Sequence, residues 1–217
     1  MSSSVVTEDD FEVREFRGHG RVDILGAVDP VSLQAGPVRK AGFKDALASA
    51  VRTATTGVFT HDVEVSLVWY IEESRRYQTH LVADIDNVLK PILDAVTGLD
   101  GIMIDDNQVQ SIRASWMTPG PRAGFELQFT ALRADDYLSR EGLSFVEFGA
   151  DRCYLLPRAE RSVQAVIVRA YREALAGHRH LLDTGIPEDV ARSVLPSVRP
   201  FPRARLGQFE VRRQEDF

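Results

Sequence analysis

The sequence predicts an α+β protein: a small sheet packed by helices, followed by a mainly helical, arginine-rich C-terminal appendage. Three observations carry this. A period-2 apolar run at 63–70 is flanked by a helix-period stretch at 38–54, two more strand-like runs follow at 108–117 and 125–132, and a long helical stripe occupies 158–177. The chain has 217 residues, enough for one domain with an appendage and for a sizeable core.

The elements are justified in order. Residues 1–9 carry no periodic pattern, and Phe11 to Leu25 alternates loosely enough for a strand. Ala41, Ala46, Leu47, Ala50, Val51 and Ala54 keep helical spacing, with Gly57 beyond them as a stop. Val63 to Tyr70 alternates, then becomes wholly apolar, as a half-buried strand does. Glu72 to His80 is polar and reads as a loop. The strands at 108–117 and 125–132 are joined by the turn-rich Thr118-Pro119-Gly120-Pro121. Val163, Val166, Ile167, Ala170, Tyr171, Ala174 and Leu175 form the later stripe, with Pro157 suited to its start and Gly177 to its end; a shorter helix starts near Pro187, and the tail after Arg199 is extended.

Charge divides the chain. Residues 1–150 hold 14 basic and 23 acidic side chains, whereas 151–217 hold 12 and 9, and all 12 are arginine. The split suggests two units with different jobs, a solvated face being the commoner source of such a bias. The overall charge of −6 argues against a grip on nucleic acid by bulk positive charge, though not against a nuclease whose metal ions supply that charge locally. The single cysteine, Cys153, excludes an internal disulfide framework and a Cys-rich zinc site. Apolar runs are too short to span a bilayer and the acidic N-terminal MSSSVVTEDDFEV lacks a signal-peptide layout, so a cytoplasmic protein without membrane association is expected.

Chemistry concentrates in 83–94 and 105–108. On extended backbone, Asp84 and Asp86 share a face, and like charges held together call for a cation between them. Asp86 also stands where a helix N-cap would, Lys90 follows four residues later and Asp94 four after that, which is the spacing of an ordinary ion-pair ladder. Pro91 kinks that helix or marks the start of its regular part. After Gly98-Leu99-Asp100-Gly101, the apolar Ile102-Met103-Ile104 can deliver Asp105-Asp106 to the same place, one pointing inward and the other away. Carboxylates converging in this way suit Mg²⁺, and two such ions activate water and stabilise a leaving oxygen in phosphodiester cleavage, with Lys90 placed for growing phosphorane charge. From spacing alone, a capped helix beside an acidic turn is an equal alternative.

The segment Asp84-Ile85-Asp86-Asn87, Lys90, Asp94-Ala95-Val96, Gly98, then Asp105-Asp106-Asn107-Gln108-Val109 resembles the RusA family of Holliday junction resolvases, over roughly residues 11–135. The resemblance implies a small mixed sheet packed by helices and a homodimeric endonuclease that binds branched DNA and makes paired nicks with Mg²⁺, Mn²⁺ being a possible substitute. It implies catalytic roles for Asp84, Asp86, Lys90 and Asp106 and metal ligation by Asp84, Asp86 and one or both of Asp105 and Asp106. Arg75 and Arg76, in the loop just before Asp84, are the local candidates for phosphate contacts, with solvated loop arginines as an equal alternative. The competing reading is a non-catalytic junction-binding or regulatory protein on the same fold. Residues 136–217 lie outside the resemblance, so units at 1–135 and 136–217 are expected. His178-Arg179-His180 lacks a third ligand, Cys153 lacks a basic partner to activate it, and Trp69, Tyr70 and Trp116 read first as core.

Overall fold

A computed structural model describes residues 5–78, 82–119, 123–149 and 151–217. The chain divides into two compact units, Met1–Leu138 and Ser139–Phe217. Among the described residues no helix is long and apolar enough to cross a membrane.

The first unit is mixed α and β. Strands β1 (Phe11–Phe16) and β2 (Arg21–Gly26) form an antiparallel hairpin, so the expected single strand over 11–25 is corrected to two. The break is a 3₁₀ turn at Arg17–His19 closed by Gly20, whose φ of +55° is the left-handed conformation glycine adopts without steric cost. Helix α1 (Pro37–Ala54) follows, then the short strand β3 (Gly57–Phe59), the strand β4 (Val63–Tyr70) and a short helix α2 (Glu73–Gln78). Helix α2 replaces the expected loop at 72–78; Thr79 and His80 lie outside the described residues. Helix α3 (Ile85–Ala95) leads to β5 (Val109–Met117), β6 (Gly124–Ala131) and β7 (Tyr137–Ser139), which pairs with β3. Gly120 and Pro121 of the turn between β5 and β6 are outside the described residues.

The main sheet runs β1-β2-β6-β4-β5. Only β4 and β5 are parallel, which makes the sheet mixed. Strands β5 and β6 are consecutive in the chain yet not neighbours, because β4 lies between them. Along β4, Val63, Val65, Leu67 and Trp69 are buried and the residues between them are not, the period-2 pattern of its sequence. Helix α1 buries Phe43, Ala46, Leu47, Ala50 and Val51, and Phe43 meets Phe11 edge-on at 5.5 Å. Helix α3 buries Val88, Leu89, Ile92 and Leu93, and this stripe fixes which of its faces carries charge outward.

In the second unit, β8 (Ser144–Phe148) and β9 (Arg152–Leu156) pair antiparallel, followed by α4 (Arg161–Asp183), α5 (Glu188–Ala191), β10 (Pro200–Pro202) and β11 (Val211–Arg213). The sheet order is β10-β9-β8-β11, with β11 parallel to β8. The helical stripe is thus accompanied by a sheet that periodicity did not place. Helix α4 also passes through Gly177 and ends at Asp183. Its stop is Gly185, with φ +85°; the Gly185 N–H donates to Leu182 O at 2.9 Å and the Ile186 N–H to Leu181 O at 3.0 Å, a Schellman closure. Because His178 and His180 both lie on α4, two residues apart, they project to different sides of the helix. Cys153 is fully buried, and burial, reinforced by Glu147, pushes its thiol up to about 11, so it is not a nucleophile at neutral pH.

Candidate active site

The site is built on α3 and the turn before β5. Asp84 is the N-cap of α3, with extended backbone (ψ 148°), and Asp86 sits in the first helical turn. This moves the cap from Asp86 to Asp84, and the shared face of an extended strand gives way to a helix start. Both carboxylates are exposed, and Asp84 makes no side-chain capping hydrogen bond. The positive end of the helix macrodipole favours them there without engaging their oxygens.

Pro91 sits inside α3 rather than at its beginning. It has no N–H for the carbonyl of Asn87 four residues back, and that oxygen instead accepts the Leu33 N–H at 2.7 Å. The proline therefore frees a carbonyl that ties the loop before α1 to the first turn of α3, at the residue that follows Asp86.

Lys90 is the electrostatic centre. Its Nζ lies 2.5 Å from Asp106 Oδ2 and 2.7 Å from Asp94 Oδ1. Lys44, on α1, reaches the other Asp94 oxygen at 3.2 Å. Hydrogen bonds to Asp106 and then Asp94 raise the Lys90 ammonium above its ordinary pKa, so it is charged at any physiological pH. Burial works to raise the Asp94 carboxyl, but hydrogen bonds from Lys90 and Lys44 outweigh it and hold Asp94 below the usual range. The ladder spacing between Lys90 and Asp94 is realised as an ion pair; the partners Lys44 and Asp106 come from other elements.

The turn carrying Asp105 and Asp106 is fixed from below. Ile102, Met103 and Ile104 are buried in a bent segment, Met103 bridging to Phe59 and Thr97, so this apolar run supports the acidic pair without forming a strand. Gln108 is fully buried and uses its whole amide: Oε1 accepts from the N–H groups of Ile104 (2.7 Å) and Asp105 (3.0 Å), while Nε2 donates to the carbonyls of Phe59 and His61, each at 2.8 Å. Asp105 is also buried and accepts the Asn107 N–H at 2.9 Å. Asp105 caps the turn and Asp106 faces Lys90. The Asp-x-x-Gln spacing at 105–108 is a capping-box pattern, a signal that would have exposed the structural part played by Gln108.

Arg75 and Arg76 are on α2, at the end of the sheet that carries Trp69 and Trp116. Arg75 pairs with Asp29 at 2.8 Å, and the same aspartate accepts from Trp69 Nε1 at 3.2 Å. Arg76 lies over the Trp116 ring at 4.8 Å, and Trp116 stacks on Trp69 at 5.0 Å. Sequence reasoning missed Asp29 and Lys44, whose partners lie 46 and 50 residues away along the chain.

Residues 36–128 match the family model described as Endodeoxyribonuclease RusA. The chain carries a RusA endodeoxyribonuclease domain. Every residue of the Lys44–Asp94–Lys90–Asp106 chain lies within the matched stretch, as do Asp84, Asp86, Asp105, Gln108 and both α2 arginines. The RusA match ends before β7 and the whole second unit. No curated protein matches the chain.

For a divalent ion, the donors of this RusA domain are chemically suitable: Asp84, Asp86 and Asp106 are hard oxygen ligands, and the first two are open to solvent. Among the described residues, no three His, Cys, Asp or Glu side chains gather into a metal-holding group. The structure draws Asp94 and Asp106 around Lys90 and leaves Asp84 and Asp86 apart at the helix start. Mg²⁺ tolerates such an open set, since it keeps several waters and takes phosphate oxygens from its substrate.

Proposed function

We propose that this protein is a homodimeric, Mg²⁺-dependent endonuclease that resolves four-way DNA junctions by paired phosphodiester cleavage, in recombination and repair, in the cytoplasm. The observation that carries the proposal is the RusA match over 36–128 together with an ammonium, Lys90, pinned between two carboxylates at the edge of an exposed acidic helix start. Asp84, Asp86 and Asp106 are the residues that would hold Mg²⁺ or Mn²⁺. When bound, the ion supplies Lewis-acid charge for hydrolysis of a P–O bond by water. Asp105 serves as the buried cap that orients Asp106.

The protein's own part is positioning. Lys90, held by Asp94 and Asp106, offers its remaining N–H to a non-bridging phosphate oxygen as charge grows on it. Asp94, in turn fixed by Lys44, limits the rotamers of Lys90, so little reorganisation accompanies the reaction. Arg75 and Arg76 are the phosphate contacts, released from Asp29 and Trp116 on DNA binding. A two-fold junction suits a two-fold dimer, each site meeting one strand of the nicked pair.

The test is cleavage of four-way, flap and linear duplex DNA with millimolar Mg²⁺, wild type against Asp84→Asn. The expected result is nicking confined to the junction and lost in the variant. Junction binding by wild type with no nicking at any Mg²⁺ or Mn²⁺ concentration would overturn the enzymatic reading in favour of a binding protein. Mg²⁺ should also raise the melting temperature of wild type and not of Asp84→Asn/Asp86→Asn, because a ligand of the native state alone stabilises it.

A further inference from the structure

The second unit contains a cavity that the nuclease reading does not use. It encloses about 400 Å³ between α4 and the strands β8 and β9, within the size range of ligand pockets. Three guanidinium groups (Arg152, Arg172 and Arg179) line it, together with the apolar Phe148, Leu175 and Leu182, and no carboxylate is among its lining residues. In a chain with 32 acidic side chains, that is an unusual local balance.

The arginines are also not neutralised from elsewhere. Arg172 is oriented by Gln214, donating to its carbonyl oxygen at 2.9 Å and to its Oε1 at 3.3 Å, which fixes the guanidinium without cancelling its charge. Among the described residues, none of the three is ion-paired to a carboxylate. His178 lines the same cavity, is only 8% exposed, and its Nε2 has no hydrogen-bond partner; the nearest carboxylate, of Glu188, is at 3.4 Å. Phe148 belongs to an aromatic group with Tyr154 and Tyr171 at 5.9 and 6.2 Å, so the apolar part of the lining is rigid.

Three guanidinium groups without a carboxylate partner, one of them oriented by Gln214, beside a buried aromatic wall match a planar, phosphate-bearing ligand. Arginine's fork donates bidentately to phosphate oxygens, and its flat face, like Phe148, stacks on a base. We propose that this cavity is a nucleotide-phosphate site in the C-terminal unit, taking either a free nucleotide or the phosphorylated end of a DNA strand.

The proposal is tested on the full chain in metal-free buffer by calorimetric titration with 2′-deoxyadenosine 5′-monophosphate, a short single-stranded oligonucleotide carrying a 5′-phosphate, and inorganic phosphate. One of the two nucleotide probes should bind more tightly than inorganic phosphate, and the tighter of them identifies the source. Arg172→Ala/Arg179→Ala should weaken that binding by roughly tenfold or more, as expected for lost charge-assisted hydrogen bonds, with partial recovery on lysine replacement. Both arginines are exposed, so the melting temperature should be unchanged. A second readout is independent of the variants: in wild type, the side-chain Nε resonances of Arg172 and Arg179 should shift on titration. No binding by either nucleotide probe, no preference over inorganic phosphate, unaltered affinity in the double variant, or unmoved Nε resonances would each overturn the proposal.

Discussion

The start of α3 and the turn before β5 each present two acidic residues, and they are built in opposite ways. At the turn, Asp105 is buried, its carboxylate is committed to a backbone N–H, and Gln108 locks the backbone beneath with four hydrogen bonds. At the helix start, Asp84 and Asp86 are exposed and Asp84 leaves its capping opportunity unused. A buried, fully satisfied polar network specifies one geometry, because any alternative leaves donors and acceptors orphaned. Exposed carboxylates cost nothing to reorient. The difference teaches that one half of the site is a fixed platform and the other an adjustable one, with Lys90 joining them.

The largest expected effect is at that join. Lys90→Ala should lower single-turnover junction nicking by about 10²–10³-fold, the scale for removing one donor to transition-state charge, while stability falls by only about 1 kcal/mol because the pairs are half exposed. Nicking retained within a few-fold of wild type would break the assignment of Lys90 as the link between the two halves.

Next comes the platform. Gln108→Leu preserves bulk but strips partners from two N–H groups and two carbonyls, and should cost roughly 2–4 kcal/mol in urea unfolding. Asp84→Asn, at the adjustable half, should stay within about 0.5 kcal/mol without metal. Equal stability losses for the two variants would erase the contrast between the halves.

Parts of this were legible in the sequence and parts were not, for physical reasons. Helix α1 and strand β4 announce themselves because each buries one side only, leaving a clean period. Strand β9 buries four successive residues, Cys153 to Leu156, and β8 buries three, so neither alternates, and each is too short for length to decide. Gly177 looks like a helix stop, yet a helix tolerates a lone glycine; Gly185 does stop it, through a positive φ that composition does not reveal. In the site, the Lys90–Asp94 pair follows from local spacing. Lys44 does not, since its contact with Asp94 depends on how α1 packs on the rest of the unit. The deployment of Asp105 as cap and Asp106 as partner depended on the register of a 3₁₀ turn set by Gln108, which an alternation argument does not reach.

The smallest effect tests how Lys90 is oriented. Asp94 has a folded-state pKa below its unfolded value of about 3.9, so its pairing contributes stability that is present above that value and lost as pH falls through the lower, folded pKa. Asp94→Asn removes the contribution at all pH values. At pH 7 the variant should therefore be less stable by about 0.5 kcal/mol, the worth of partly exposed pairs, and the gap should close as the pH falls through the lowered folded-state pKa, where wild type becomes protonated too. Urea unfolding of both proteins at pH 7 and in acid checks this. A gap that persists undiminished in acid would mean that Asp94 matters through packing, and that Lys44 and Lys90 do not share it as a charged anchor.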